Sequence, residues 1–366
     1  MMRLQEGGTS LSRDSPAPTT SELPLNSLRA ATLEPGLTLP KAMALQEILG
    51  LVEHDLMRVE RVFRDEFLSD LKVISDVASH VRDAGGKRIR PALLLLASRL
   101  FSHSSDRMIT LAAVVEYIHT ATLLHDDVID EAATRRGRKS ANSRWGNKTT
   151  VLIGDFLYTK SMAMALTQDN LGILRLLSDV TLRMIEGQVL EIEREADLAV
   201  REDQHIDIIR RKTADLFAAC MRIGALLGNA SEEKEQALSA YGLALGLAFQ
   251  MKDDLLDFTA TEKALGKPVG LDLREGKVTL PVIYMMEAGD AEVRSKVETV
   301  VQDRGFERVS HAEIVTLARR TGALARAEER AIREAETARR ALQVFAPSAE
   351  RDALMTLPDF ILARDH

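Results

Sequence analysis

The sequence predicts an all-α protein, one helical domain behind a long N-terminal tail. From Met43 onward apolar residues recur at three- and four-residue spacing nearly throughout, and no segment sustains an apolar/polar alternation of period two. Aromatic residues are only 4% of the chain, whereas Leu, Ala, Ile, Val, Met, Glu and Arg dominate, which favours packed helices over strands. With 366 residues and 45% hydrophobic content, the chain can bury a large core.

Residues 1–42 stand apart. The stretch "TSLSRDSPAPTTSELPLNS" is rich in Ser, Thr and Pro, and five of the ten prolines fall before residue 41, so it reads as a disordered tail ahead of a domain at 43–366. It carries no apolar run before a small-residue cleavage site and is not read as a secretory signal. The first helical stripe is Leu45, Ile48, Leu49, Val52 and Leu56, continued by "LVEHDLMRVERVFRDEF". "RPALLLLASRL" follows as a helix with Pro91 in its first turn, then "SHSSD" supplies a cap for a helix over about 107–130. Further helices are expected near 149–168, 170–196, 203–228, 232–258, 278–287 and 311–345. The apolar run "ITLAAVVEYIHTATLL" is interrupted by Glu116 and His119 and is too short for a membrane span, so no transmembrane segment is expected.

The formal charge of −7 argues against a general nucleic-acid binder. Cys220 is the only cysteine, which excludes an internal disulfide and a cysteine-based zinc site and suits a reducing cytoplasm.

Two acidic clusters carry the chemistry. "LLHDDVID" places Asp126, Asp127 and Asp130 at one end of one helix face, where like charges repel unless a cation lies between them. Oxygen-only ligands suit Mg2+. "QMKDDLLDF" repeats the spacing with Asp253, Asp254 and Asp257 after the small-residue stretch "YGLALGLAF". A single such cluster reads equally well as a solvated helix end; two suggest facing acidic walls that hold a diphosphate through divalent ions. Basic residues form the other half. Lys87, Arg88 and Arg90 sit in "GGKRIRP", whose glycines permit close backbone approach before a helix N-terminus, and Arg135, Arg136, Lys212 beside Thr213, and Lys267 in "LGKPVG" follow. Any one of these alone would be a solvated surface charge; together they point to two bound anionic groups.

Alternatives from other classes are weaker. "GLDLREGKV" has one residue too many between its glycines for a phosphate-binding loop and puts Val278 where Ser or Thr should stand, and neither G-x-S-x-G nor H-E-x-x-H occurs. "EYIH" (Glu116 to His119) and "EDQH" (Glu202 to His205) both match the Glu-x-x-His signature of di-iron bundles. That reading leaves both aspartate clusters unexplained, and "REDQH" reads as polar on every side. A non-catalytic helical partner protein would have no reason to keep both clusters complete.

In order along the chain, "GGKRIRP", "LLHDDVID" and "FQMKDDLLD" resemble the motifs of the trans-isoprenyl diphosphate synthases, or polyprenyl synthetases, over roughly residues 43–345. "YIHTATLLHDDVIDEAATRRG" is most similar to the long-chain octaprenyl, solanesyl and decaprenyl diphosphate synthases. The resemblance implies an isoprenoid synthase-type bundle of antiparallel helices around a central cavity, a homodimer, and a cytoplasmic enzyme touching membranes only peripherally to release product. The implied reaction is head-to-tail condensation of isopentenyl diphosphate onto an allylic diphosphate, with Mg2+ as cofactor at three ions per site, supplying a respiratory quinone side chain.

Carried over by position, Asp126, Asp127, Asp130, Asp253, Asp254 and Asp257 would hold metal; Lys87, Arg90, His119 and Arg136 isopentenyl diphosphate; and Arg135 the allylic diphosphate. Lys212, Thr213, Gln250 and Lys267 would border the reacting carbons. His119 has a second reading as a core histidine. A shorter-chain synthase is the nearest alternative; a class I terpene cyclase fits less well, because the second cluster is aspartate-rich. Ala121 and Thr122 are small where short-chain members carry a blocking aromatic. The roughly 30 Å of helix behind Asp126 would accommodate products of about 35 to 50 carbons, with about 40 expected. Tyr117 and Ile118 are either core or tunnel floor.

Overall fold

Helix-forming composition and a nearly continuous apolar stripe give a helical bundle in the computed structural model, which describes residues 43–67, 70–83, 85–260 and 269–364, without the side chain of residue 82. The expected tail and Lys267 lie outside the described residues. All described residues fall in one compact unit.

The helices are α1 (Leu45–Gly50), α2 (Glu53–Glu66), α3 (Lys72–Asp83), α4 (Ile89–Arg99), α5 (Asp106–Ile129), α6 (Ala141–Trp145), α7 (Asn147–Leu166), α8 (Leu171–Glu193) and α9 (Glu202–Ile209). They continue as α10 (Asp215–Leu227), α11 (Glu232–Thr259), α12 (Leu271–Arg274), α13 (Leu280–Ala288), α14 (Ala291–Asp303), α15 (His311–Arg320), α16 (Ala323–Ala341) and α17 (Ala349–Leu362). A two-residue hairpin, β1 (Thr134–Arg135) with β2 (Arg138–Lys139), is the sole strand pairing among the described residues.

The core runs along α4, α5, α10, α11 and α16. Leu93 to Ala97 on α4 are fully buried, as is almost all of α5 from Met108 to Ile118. Ser105 caps α5 by accepting from the Met108 N–H. Among the described residues α5 alone is long and apolar enough to cross a membrane; most of it is buried inside the fold, as befits a core helix. The small residues of "YGLALGLAF" serve helix packing. A Cβ on Gly242 would lie 2.6 Å from the Phe217 carbonyl oxygen, and one on Gly246 would lie 2.6 Å from the Ala214 Cα. Without side chains there, α11 closes on α10, and this contact brings Gln250 beside Thr213.

Several expectations need correction. The helix expected over 203–228 is interrupted by a π-helical turn, Arg210–Ala214. The helix expected over 311–345 breaks at Gly322, whose φ of +72° is the left-handed conformation glycine adopts freely. Five helices lie outside the expected ones: the short α6 and α12, and α3, α14 and α17. In α14 the buried stripe is Val293, Val297, Val300 and Val301, β-branched residues with lower helix propensity. Helix α17 carries Pro358 in its interior, which reads as a stop, and α3 is a short amphipathic segment.

The α10–α11 contact gives the first prediction. Gly242→Ala should cost about 1–3 kcal/mol through overpacking, whereas Gly50→Ala, where nothing lies within 4 Å of a Cβ, should cost nothing comparable. Urea unfolding midpoints compare the two; equal midpoints would show that the helices do not need this approach.

Candidate active site

A cavity of about 730 Å³ opens between the loop before α4, the C-terminal half of α5, the π turn, and α11. The loop enters through two left-handed residues, Gly85 (φ +71°) and Arg88 (φ +48°). Arg88 holds its strained position by a double ion pair, with Glu60 on one side and the buried Glu116 on the other. Lys87 and Arg90 then face the cavity. The Arg90 Nη1 lies 3.0 Å from the His119 Nε2, its guanidinium stacks 4.8 Å from the Phe217 ring centroid, and the Lys87 Nζ stands 5.5 Å from that of Phe360. Arg136, with φ +51°, completes the cationic wall: a Cβ on Gly86 would sit 3.1 Å from its Nη1.

Burial, reinforced by Arg90, Arg136, Arg135 and Arg88, holds the His119 pKa well below its ordinary value. The imidazole is therefore neutral, and its Nε2 accepts from Arg90.

Along α5, Glu116, His119, Thr122, Leu123 and Asp126 line the cavity. Burial pushes the Asp126 carboxyl up, with Lys212 opposing the shift, and among the described residues no cation lies within ion-pair distance of it. Asp127 is buried, with the Arg135 Nε 2.5 Å from its Oδ1. The Asp130 Oδ1 is 3.2 Å from the Lys277 Nζ. The π turn, a helical irregularity typical of functional sites, presents Lys212 and Thr213. Lys212 pairs with Glu191 at 2.5 Å, and the Thr213 hydroxyl donates to the Gln250 Oε1 at 3.0 Å. Burial opposes the charge on Lys212, but Glu191 and Asp126 outweigh it and raise its pKa.

The second acidic cluster fans out. Asp253 enters the main cavity and meets Arg364, whose Nη1 is 2.9 Å away. Asp254 faces a smaller cavity of about 110 Å³, with the His205 Nε2 at 3.0 Å and the Gln250 Nε2 at 3.1 Å. Asp257 accepts from the Leu271 and Asp272 N–H groups at 3.3 and 3.1 Å and so caps the short helix α12. Lys212, Thr213 and Gln250 form the wall shared by the two cavities.

The residues fit a hard divalent cation. Asp126 and Asp253 offer oxygen donors to one cavity, and the half-buried Asp126 carboxylate, without an ion-pair partner among the described residues, is one that a cation would stabilise. Among the described residues no three acidic, histidine or cysteine side chains converge as a preassembled cage, so metal binding would draw carboxylates away from their present partners.

Other sequence readings resolve individually. Thr122 lines the cavity and Ala121 does not; Ala121 is buried in helix packing. Tyr117 is core: its hydroxyl donates to the Phe63 carbonyl at 2.7 Å and its ring lies 4.5 Å from that of Phe63. The main cavity meets α5 from Glu116 to Asp126. The two Glu-x-x-His segments serve separate ion pairs, Glu116 with Arg88 and Glu202 with Arg330, and His205 is buried rather than on a polar surface. Sequence reading missed Lys277, Glu191, Arg364, Phe217 and Phe249, and weighed His205 only as a ligand of a di-iron site. Lys277 stood in plain view, in the segment rejected as a phosphate loop.

The family profile described as Polyprenyl synthetase matches residues 71–317. Octaprenyl diphosphate synthase of Escherichia coli (strain K12) is 37% identical over 323 residues, 88% of this chain and 100% of that protein. A crystal structure of a polyprenyl synthase from Caulobacter crescentus CB15, complexed with calcium and isoprenyl diphosphate, aligns with a TM-score of 0.85 at 36% identity, covering 89% of this chain and 100% of that one. A decaprenyl diphosphate synthase from Rhodobacter capsulatus aligns with a TM-score of 0.83 at 36% identity, covering 88% and 100%.

The neutral His119 gives a pH prediction. Its folded pKa is depressed, so the unfolded chain gains a proton near pH 6.5 that the folded chain refuses; the stability His119 contributes is present above that pH and lost as pH falls. His119→Gln, which keeps a neutral acceptor, should lose less stability than the parent between pH 7 and pH 5 in urea titrations. Parallel losses would mean that the imidazole is protonated in the folded state.

Proposed function

The chain belongs to the polyprenyl synthetase family and is a long-chain all-trans prenyltransferase, and from that premise we propose how its residues divide the reaction and what it makes. The synthetase domain spans 43–366. It condenses isopentenyl diphosphate onto an allylic diphosphate to a product of about 40 carbons, destined for a respiratory quinone. The observation that most supports the assignment is the cavity in which the cationic loop meets one aspartate of each acidic cluster, Asp126 and Asp253.

Lys87, Arg90 and Arg136 hold isopentenyl diphosphate, with neutral His119 fixing the Arg90 fork. Arg135, Lys212 and Lys277 face the allylic diphosphate, and Lys267 belongs with them. Asp126, Asp127, Asp130, Asp253 and Asp254 hold Mg2+, three ions in the substrate complex, and Asp257 supports them from its capping position. The calcium and isoprenyl diphosphate in the Caulobacter relative's structure are in keeping with a divalent cation here. When bound, Mg2+ would polarise the bridging oxygen and neutralise diphosphate charge.

The allylic C–O bond breaks and the departing diphosphate takes both electrons. Lys212, Lys277 and Arg135 stabilise the charge that develops on it. The isopentenyl double bond, held in line by Lys87 and Arg90, supplies the electron pair for the new C–C bond. A proton then leaves to the departing diphosphate, so no protein nucleophile is required, and the cavity wall presents no Ser or Cys among the described residues. Phe217 and Phe249 supply apolar surface to this stretch of wall and carry the Arg90 and Arg364 guanidinium groups on their rings.

The protein acts as a homodimer. Leu182, Ile185, Val189 and Ile192 form an exposed apolar stripe on α8, beside exposed Val151, Leu152 and Leu166 on α7, a surface that a second copy would cover. It works in the cytoplasm, with peripheral membrane contact when the product leaves.

Two predictions test this reading. Asp126→Ala or Asp253→Ala should reduce incorporation of radiolabelled isopentenyl diphosphate by about 100-fold or more with helical circular dichroism intact; full turnover by either would remove the metal assignment. Thr122, which faces the cavity, marks the mouth of the product channel, whereas Ala121 lies in the helix packing beside it. Thr122→Phe should shorten products to about 15 or 20 carbons, one helical turn of about 5.4 Å per isoprene unit, as read by chromatography. An unchanged product would place the channel elsewhere.

A further inference from the structure

The middle aspartate of the second acidic cluster is held from both sides. Asp254 lies one turn after Gln250 on α11, and its side chain is only 4% exposed. Its Oδ1 accepts from the Gln250 Nε2 at 3.1 Å, and its Oδ2 lies 3.0 Å from the Nε2 of His205, a side chain 7% exposed on α9. A carboxylate oxygen accepts, so the imidazole Nε2 carries the hydrogen. The contacts continue outward, because the Gln250 Oε1 in turn accepts from the Thr213 hydroxyl at 3.0 Å. His205 is itself well fixed. It shares the buried side of α9 with Ile208 and Ile209, the Gln204 Oε1 accepts from the Arg201 N–H at the start of that helix, and Glu202 pairs with Arg330 of α16.

These contacts leave the carboxylate able to bind a cation. An ionised carboxyl offers about four lone-pair sites, and the two hydrogen bonds use one on each oxygen. What they remove is rotation: the torsion of a carboxylate about its last bond is soft, and a donor on each oxygen fixes its plane. The space beside Asp254 is the smaller cavity, lined also by Lys212, Lys277 and Thr279. The Thr279 hydroxyl is buried there without a hydrogen-bond partner among the described residues, an unmet polar group that a ligand oxygen would satisfy.

We propose that His205 is a positioning residue for metal: with Gln250 it fixes the plane of the Asp254 carboxylate, so that the remaining lone pairs face a divalent cation in the smaller cavity. The hydrogen bond persists when the cation arrives, because it uses a lone pair that the cation does not need. A group that orients a metal ligand in this way typically contributes about 10- to 100-fold to metal affinity. This inference rests on the assignment of Asp254 to Mg2+ made above.

The experiment uses the full chain. His205→Gln keeps an N–H donor at the reach of Nε2, whereas His205→Leu removes the donor and His205→Asn shortens it. Mn2+ is titrated without substrate and the free ion is followed by electron paramagnetic resonance. His205→Leu and His205→Asn should bind Mn2+ about 10- to 100-fold more weakly than the parent, and His205→Gln within about threefold of it. Adding His205→Leu to Asp254→Asn should weaken binding no further than Asp254→Asn alone, because the imidazole acts only through that carboxylate. Unchanged Mn2+ binding in folded His205→Leu or His205→Asn, an equal loss in His205→Gln, or additive losses in the double variant overturn the inference. So does a parent that binds no Mn2+, and so does failure of both His205→Leu and His205→Asn to fold, which would make the contact purely structural. Should the parent transfer no prenyl group, the proposed function fails, while the Mn2+ titration still decides whether His205 orients a metal ligand.

Discussion

Charges buried around one cavity are tolerable only when they are paired, and the pairs here join segments far apart in the chain. Asp127 meets Arg135 across the turn after α5; Asp130 meets Lys277, Asp254 meets His205, and Asp253 meets Arg364. Removing one partner would leave the other charge half-buried and unpaired, which is unfavourable. The ionic network therefore fixes where α5, α9, α11 and α17 end relative to one another, as the apolar core fixes their packing. Function requires some of these groups to part. Under the proposed function a divalent cation and a diphosphate carry opposite charges, so binding them would exchange one set of partners for another instead of burying bare charge.

Helix geometry decides which residues join this network. Gly242 and Gly246 let α11 lie against α10, and that closeness lets Gln250 reach Thr213, while its amide donates one turn along α11 to Asp254. The π turn at Arg210–Ala214 alters the register of α9 and α10, and its residues Lys212 and Thr213 belong to both cavities. Arg88, held in a left-handed conformation by Glu60 and Glu116, turns the loop so that Lys87 and Arg90 face inward. Glu116 pairs with Arg88 and also favours the charge on the neighbouring Arg90 and Arg136, so it relieves part of the repulsion in this wall.

The helical fold and the two aspartate clusters were legible because both depend on local spacing. Long-range partners were not. Nothing near Lys277, Arg364 or His205 in the sequence announces an aspartate, since each pair forms only when helices distant in sequence assemble. Asp257 shows the limit of repetition: it has the spacing of Asp130, yet the chain after α11 returns its N–H groups to Asp257, whereas the chain after α5 leaves Asp130 to Lys277. Thr122 and Ala121 show what helical arithmetic adds. Thr122 falls near the face shared by His119 and Asp126, while Ala121, one residue and about 100° further round, turns into the packing.

The central claim is that positive charge is divided into two poles, one for each diphosphate, with Lys87 on one and Lys277 on the other. Steady-state kinetics of Lys87→Ala and Lys277→Ala, varying each substrate in turn, tests this division directly. The account predicts that Lys87→Ala raises the KM for isopentenyl diphosphate alone and Lys277→Ala that for the allylic diphosphate alone, each by about tenfold or more. Equal increases for both substrates in either variant would contradict it.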